Sequence, residues 1–140
     1  MRPAPSVAVG SRLSEAIREM QKHRVGCAAV VEGGRLVGIL TERDILYKVL
    51  GTGQDPGGIS VEAVMTRDPE VLTPEDPIVY ALQKMSVGGF RHVPLVDAQR
   101  RPVGMVSVKD VVDWVTEFFP GHVLNVPPEP GRHAVRPEGG

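Results

Sequence analysis

The chain has 140 residues, with 16 Lys and Arg against 17 Asp and Glu, so its formal net charge is −1. This balance excludes the basic coat of a protein that binds nucleic acid through charge. Apolar residues make up 41% and charged residues 24%, which excludes wholesale disorder and indicates a globular protein of about one domain's length.

Cysteine usage and hydropathy indicate the compartment. Cys27 is the single cysteine, the start of the chain has no secretory signal pattern, and no apolar run approaches the roughly 18 residues that span a bilayer. We therefore expect a soluble, cytoplasmic protein that does not enter a membrane.

The first part of the chain, 1–50, predicts one structural unit. After an extended lead-in at 5–10, a helix is predicted from apolar residues at helical spacing: Leu13, Ala16, Ile17 and Met20. An apolar run at 27–31 predicts a buried strand, and 37–45 predicts a second strand that enters a helix. The expected order is strand, helix, strand, strand, helix.

The same order returns in a second predicted unit, 61–119. Its first helix repeats the earlier spacing with Ile78, Ala81, Leu82 and Met85. An apolar run at 92–96 and a strand-to-helix segment at 103–111 follow, separated by a turn that is one residue longer than in the first unit. An α/β fold of two repeats is therefore expected.

The rest of the chain is rich in turn-forming residues. Residues 51–60 are predicted to be a linker, and 120–140 a tail in which nine of 21 residues are Gly or Pro. Because a unit of roughly 60 residues is marginal alone, we expect the two repeats to be related by a pseudo-twofold axis and to share one core.

A short motif recurs at both strand-to-helix junctions. Residues 38–44 and 104–110 share the form Gly, two apolar residues, Ser or Thr, any residue, Arg or Lys, and Asp. In each copy the hydroxyl residue, Thr41 or Ser107, stands three before a carboxylate, Asp44 or Asp110, which is the pattern of a helix capping box. A structural cap therefore explains a single copy.

The cations inside the motif favour a second role. Arg43 and Lys109 occupy the same slot in the two copies, at a helix N-terminus that already favours anions. A carboxylate such as Asp44 can accept hydrogen bonds from both hydroxyls of a ribose cis-diol. Ribose together with phosphate indicates a nucleotide.

With the doubled motif in place, the sequence resembles a known family. Together with the segments 64–73 and 91–96, it is similar to the cystathionine-β-synthase (CBS) domain, and two copies in tandem resemble a Bateman module. The resemblance covers roughly residues 7–118. It implies a fold in which the cleft between the repeats binds adenine nucleotides or adenosyl compounds.

The resemblance also implies site residues. Those near the ribose would be Asp44, Asp110, Thr41 and Ser107. Those facing phosphate would be Arg43, Arg91, His92 and Lys109. Those lining an adenine pocket would be Val7, Val9, Ala28, Val71, Thr73, Val93 and Pro94.

The two copies are not equal. The first has Gly26 and Cys27 where the second has Arg91 and His92. A site that uses Arg91 and His92 would favour a charged nucleotide, whereas the other would be weak, empty or suited to an uncharged adenosyl group.

These observations predict a regulatory module that binds an AMP, ADP or ATP-like ligand, performs no catalysis and needs no catalytic cofactor or metal. The resemblance implies a homodimer, and the lack of a fused effector implies a partner protein in trans. A structural module with vestigial sites, or a sensor of S-adenosylmethionine or NAD, stays open. An enzyme that uses Cys27 as a nucleophile is the least favoured alternative, because a cysteine in an apolar run is usually a small buried side chain.

Overall fold

The computed structural model describes residues 3–118, so the predicted tail at 120–140 lies outside the described residues. The first repeat contains β1 (Ser6–Ala8), α1 (Leu13–His23), β2 (Cys27–Glu32), β3 (Arg35–Thr41) and α2 (Glu42–Ile45), which continues into π-helical turns over Leu46–Leu50. After 3-10 turns at Pro56–Gly58 and Val61–Ala63, the second contains β4 (Thr66–Arg67), α3 (Ile78–Gly88), β5 (His92–Val96), β6 (Pro102–Ser107) and α4 (Val108–Phe118).

The strands form two small sheets. In the first, β1 is parallel to β2, β2 and β3 form an antiparallel hairpin, and β4 pairs antiparallel with β3. The second consists of the hairpin β5–β6. The predicted lead-in strand at 71–73 is reduced to one parallel bridge, in which the Leu72 amide donates to the Pro94 carbonyl at 3.0 Å.

The two hairpins turn differently, as the inserted residue predicts. The first uses Gly33 and Gly34, both with positive φ, which suits a tight two-residue turn. In the longer second turn Arg100 takes the positive φ. This turn reaches the first repeat, because the Leu36 amide donates to the Arg100 carbonyl at 2.9 Å and Arg100 Nε donates to the Leu36 carbonyl at 3.1 Å.

The buried apolar residues form two larger clusters, one centred in each repeat, and two smaller clusters that join the repeats. One joining cluster contains Cys27, Ile39 and Met105, and the other contains Ala29, Leu36 and Val96. The common core predicted from the sequence is therefore divided into parts.

The predicted linker between the repeats packs at its end against the core of the first repeat. Ile59 packs against the core cluster of the first repeat, and its carbonyl accepts the Leu13 amide at 2.8 Å. Val61 and Val64 are buried in the same cluster. The start of the predicted second unit thus completes the core of the first repeat.

The helix faces follow the predicted spacing with one exception. On α1 and α3 the small and sulfur-containing positions, Ala16, Met20, Ala81 and Met85, are buried. Leu82 was expected on the core face of α3, yet it is 45% exposed. Within residues 3–118 no helix is long and apolar enough to cross a membrane.

Candidate functional site

Both copies of the repeated motif form the predicted helix cap. In the first, the backbone N–H and the hydroxyl of Thr41 donate to Asp44 Oδ2 at 3.0 and 3.1 Å, and the Asp44 amide donates to Thr41 Oγ1 at 3.2 Å. In the second, the backbone N–H and the hydroxyl of Ser107 donate to Asp110 Oδ2 at 2.7 and 3.1 Å, and the Asp110 amide donates to Ser107 Oγ at 3.3 Å. The capping role is therefore confirmed for both carboxylates.

Asp44 has further partners on its other oxygen. Its Oδ1 accepts the hydroxyl of Thr66 at 3.1 Å and lies 3.0 Å from the ammonium of Lys48. Lys48 also donates to the Val64 carbonyl at 2.8 Å. The carboxylate is only 8% exposed, and these donors compensate the cost of burying its charge.

Two cavities are lined by the motif carboxylates, and the larger of these two, of about 390 Å³, contains Asp44. It is lined by residues from both repeats: Ile39, Thr41, Arg43, Asp44, Thr66, Asp68, Pro69, Glu70, Gly88, Gly89, Phe90, Arg91 and His92. Five of the predicted site residues therefore meet here. The first repeat contributes Thr41, Arg43 and Asp44, and the second contributes Arg91 and His92, so both repeats supply candidates for phosphate binding.

The smaller cavity, of about 150 Å³, is the pseudo-symmetric counterpart. The predicted Ser107, Lys109 and Asp110 line it together with His92 and Cys27. Its remaining wall residues are Pro3, Ala4, Arg24, Val25, Gly26 and Met105.

Arg24 supplies a cation to the smaller cavity that the sequence analysis did not expect. It follows the end of α1 with a φ of 55°, in the left-handed region. The matching residue after α3 is Gly89, with a φ of 72°. An arginine at this position carries a backbone cost that glycine avoids.

Burial and nearby charges alter two titratable groups beside these cavities. Burial lowers the pKa of His92, against the opposing effect of Glu42 and Asp110 and with a further lowering by Arg91. Burial, followed by the charge of Glu42, raises the pKa of the Cys27 thiol to about 12.

A thiol that stays protonated at neutral pH is a poor nucleophile, which counts against the catalytic alternative for Cys27. Among residues 3–118 no group of three or more His, Cys, Asp and Glu side chains is arranged to hold a metal ion.

The residues expected to line an adenine pocket lie elsewhere. Val7, Ala28 and Val93 are buried in the cores of the two repeats, and Val9 packs against the first of these cores. Val71 packs against a joining cluster, Pro94 is fully buried, and Thr73 donates to Asp76. None of the seven lines either cavity.

Strand alternation explains this difference. Successive side chains of a strand point to opposite faces. In β2, Ala28 faces the core of its own repeat while Cys27 belongs to a cluster that joins the repeats. In β5, Val93 faces the core while His92 lines both cavities. In both strands the residue one position earlier lines a cavity, and a contact of the seven predicted residues with an adenine ring stays a prediction.

Several wall residues were missed by the sequence analysis. Thr66, Asp68, Pro69 and Glu70 lie in the lead-in segment that carries part of the family resemblance, so their position was a usable signal. Phe90 lies beside Arg91, yet no local pattern distinguishes a cavity wall from a core aromatic. Its ring packs on the α-carbon of Gly88, where an added Cβ would collide with it.

Comparison with known proteins identifies relatives of both repeats. The family model for the CBS domain matches residues 1–51 and 61–117. The CBS domain-containing protein CBSX3, mitochondrial, of Arabidopsis thaliana is 36% identical over 103 residues, which cover 70% of this chain and 50% of that protein. The chain thus spans about half the length of this curated relative.

Two solved structures are similar in fold and sequence. One is the CBS domain pair of protein MJ0100 in complex with 5′-methylthioadenosine and S-adenosyl-L-methionine, with a TM-score of 0.73, 30% identity and coverage of 81% of this chain and 92% of that chain. The other is the CBS domain protein PAE2072 from Pyrobaculum aerophilum complexed with AMP, with a TM-score of 0.72, 29% identity and coverage of 79% and 84%.

Proposed function

The chain belongs to the CBS domain family, and from this membership we propose that it is a regulatory module that binds an adenosine-containing ligand in its larger cavity without reacting with it. The observation that carries the proposal is the meeting of Asp44, Arg91 and His92 on the walls of one cavity. The volume of about 390 Å³ lies within the usual range of small-molecule sites, roughly 300–1,000 Å³.

The chemistry of the walls supports a ribonucleotide. The two ribose hydroxyls would both bind Asp44 Oδ1, taking the places of the Thr66 hydroxyl and the Lys48 ammonium, since Oδ2 is used by the helix cap. The guanidinium groups of Arg43 and Arg91 suit phosphate oxygens. Phe90 and Ile39 offer apolar surface to a base. We therefore assign the AMP, ADP or ATP class to this cavity.

The smaller cavity is proposed as a second, weaker site. Its volume of about 150 Å³ is below the usual range, and it has Gly26 in the place of Arg91. The ligands of the solved relative MJ0100 make an adenosyl compound without phosphate, such as 5′-methylthioadenosine or S-adenosylmethionine, the alternative occupant. Arg24 and Lys109 would still attract an anion.

A structural module with vestigial sites is the second candidate function. It is favoured by the set of protein donors that already surrounds Asp44, because a carboxylate satisfied in this way needs no ligand. The two candidates differ in one measurable property, which is whether any adenosine compound binds.

Signalling would occur through other chains. Exposed apolar side chains on two helical segments, Tyr47 and Leu50 in the first repeat and Val79, Tyr80 and Leu82 in the second, support a homodimer. We propose that the dimer reports its ligand to an effector protein in trans, and a cytoplasmic location stays a prediction.

Thermal-shift and calorimetric titrations with AMP, ADP, ATP, NAD and S-adenosylmethionine test the function. A ligand that binds the native state raises stability by RT ln(1 + [L]/Kd), so a bound probe raises Tm. We expect the adenine mononucleotides to raise Tm in the wild type and in Asp55→Asn, a control outside the cavities. Asp44→Asn should weaken the effect. No shift with any probe at millimolar concentration would support the vestigial module instead.

The ribose assignment has its own test. A 2′-deoxyribonucleotide lacks one of the two hydroxyls proposed to reach Asp44, so dAMP should bind more weakly than AMP. Equal affinity for the two would overturn the role of Asp44 while leaving nucleotide binding intact.

A further inference from the structure

His92 is the one side chain found on the walls of both cavities among the described residues. It begins β5 and pairs in register with Ser107 of β6, the residue whose hydroxyl joins the Asp110 cap. The carbonyl of its neighbour Arg91 accepts the Val108 amide at 3.0 Å, which ties the start of α4 to the same backbone. His92 therefore stands between the phosphate-facing part of one cavity and the carboxylate of the other.

Among the described residues of the first repeat, none lines both cavities in the same way. There Cys27 begins β2 and pairs with Thr41 of β3, and the Gly26 carbonyl accepts the Glu42 amide at 3.0 Å, so the backbone arrangement is the same. The thiol of Cys27 lines only the smaller cavity. The imidazole of His92 is longer than the thiol of Cys27, and this added length lets His92 reach both cavities.

Charges from both repeats act on His92. Glu42 at the start of α2 and Asp110 in α4 favour its protonated form, whereas burial and Arg91 favour the neutral form, and burial has the largest effect on its pKa. A neutral imidazole has one N–H donor. Such a ring can donate a hydrogen bond into only one cavity at a time.

We propose that His92 couples the two cavities. A phosphate-bearing ligand that accepts a hydrogen bond from the His92 N–H in the larger cavity weakens the binding of a second such ligand in the smaller cavity. This inference rests on the proposed function and adds a form of regulation to it. Because only one of the two sites can receive this hydrogen bond at a time, binding at one site changes the binding free energy at the other. This coupling free energy is the same in both directions.

The experiment is an AMP titration followed by NMR of methyl-labelled protein. The methyl signals of Ile39 and Met105 report the larger and the smaller cavity, and because both side chains belong to one joining cluster, a response at Met105 is assigned to the smaller cavity only where the methyl signals of Val25, which lines that cavity and not the other, follow it. In the wild type we expect AMP to bind the larger cavity first. In Asp44→Asn, where the larger cavity is weakened, Met105 should respond at an AMP concentration at least about fivefold lower, the lower end of typical coupling.

The histidine variants decide whether His92 carries the effect. In His92→Ala and His92→Asn the apparent affinity at Met105 should no longer depend on Asp44→Asn. The asparagine variant keeps a polar donor that is too short to serve both cavities, and it guards against a folding defect of the alanine variant. His23→Ala, which removes a histidine of α1 outside both cavities, should retain the coupling.

The outcomes are distinguishable. Persistence of the coupling without His92, or independent binding in the wild type, overturns this inference and leaves the proposed function standing. Occupancy of one cavity alone in every variant overturns it equally. If AMP moves neither methyl signal in the wild type, both the inference and nucleotide binding are wrong.

Discussion

Thr66 donates its hydroxyl to Asp44 Oδ1 at 3.1 Å, and this bond connects the lead-in of the second repeat to the helix cap of the first. Lys48 approaches the same oxygen at 3.0 Å and holds the Val64 carbonyl two residues before Thr66. The carboxylate assigned to the ribose is therefore part of the junction between the repeats, so a ligand that displaces either donor also acts on that junction.

The first prediction concerns this junction. Thr66→Val removes the hydroxyl and leaves Asp44 Oδ1 with Lys48 as its remaining partner in the structure, so we expect a loss of about 1 kcal/mol in the free energy of unfolding. Urea denaturation measures the loss. Thr66→Ser, which keeps the hydroxyl, should be close to the wild type, and a stable valine variant would show that the bond contributes nothing.

The second prediction uses the strained end of α1. Arg24→Gly should raise the free energy of unfolding by about 1 kcal/mol, because glycine adopts a φ of 55° without the steric cost of a side chain. The same variant should bind anionic ligands less well in the smaller cavity, which Arg24 lines. Gly89→Ala, at the matching position, should have the opposite effect on stability. A destabilised Arg24→Gly would mean that the side chain has stabilising contacts.

The third prediction concerns the wall of the larger cavity. Gly88→Ala places a Cβ where the Phe90 ring lies, so the ring must move, and we expect weaker nucleotide binding with a change in stability of no more than about 0.5 kcal/mol, because Gly88 is exposed and Phe90 is only half-buried. Thermal unfolding and calorimetry measure the two effects. Gly58→Ala is the matched control, because a Cβ there meets nothing within 4 Å. Unchanged binding in Gly88→Ala would remove Phe90 from the proposed site.

The fourth prediction is a pH dependence at His92. Its pKa is lowered in the folded protein, so the unfolded chain binds the proton first as the pH falls below about 6.5. The stability contribution of the neutral imidazole is present above this pH and is lost on acidification toward the folded pKa. His92→Gln should therefore flatten the stability profile between about pH 5 and 7. Above pH 8 the difference between the two proteins should be constant.

The fifth prediction concerns Cys27. Because burial raises the pKa of its thiol to about 12, iodoacetamide at pH 8 should modify it only after unfolding. The raised value also means that the protonated thiol contributes stability below the unfolded pKa, about 8.5, which is lost as the pH rises toward 12. Cys27→Ala should weaken this alkaline loss. Rapid alkylation of the native protein would instead revive Cys27 as a reactive group.

Much of this protein was predictable because the determining interactions are local. The Thr41–Asp44 and Ser107–Asp110 caps each close within four residues, so their pattern survives in the sequence. The helix and strand order follows from the spacing of apolar residues, and its repetition predicts a fold of two repeats. The resemblance of the doubled motif to the CBS domain is confirmed by the family model. The sequence alone also shows that the first repeat has Gly26 where the second has Arg91.

Only the tertiary structure decided which residues meet. Asp44 and Arg91 line one cavity although they belong to different repeats, and the pairing of the repeats, which no local pattern encodes, brings them together. Ala28 and Val93 lie on the strand faces that pack in the core of their own repeat. Cys27 and His92 lie on the opposite faces, between the repeats. A sequence specifies the alternation of a strand, but the side on which its neighbours pack depends on contacts between distant residues.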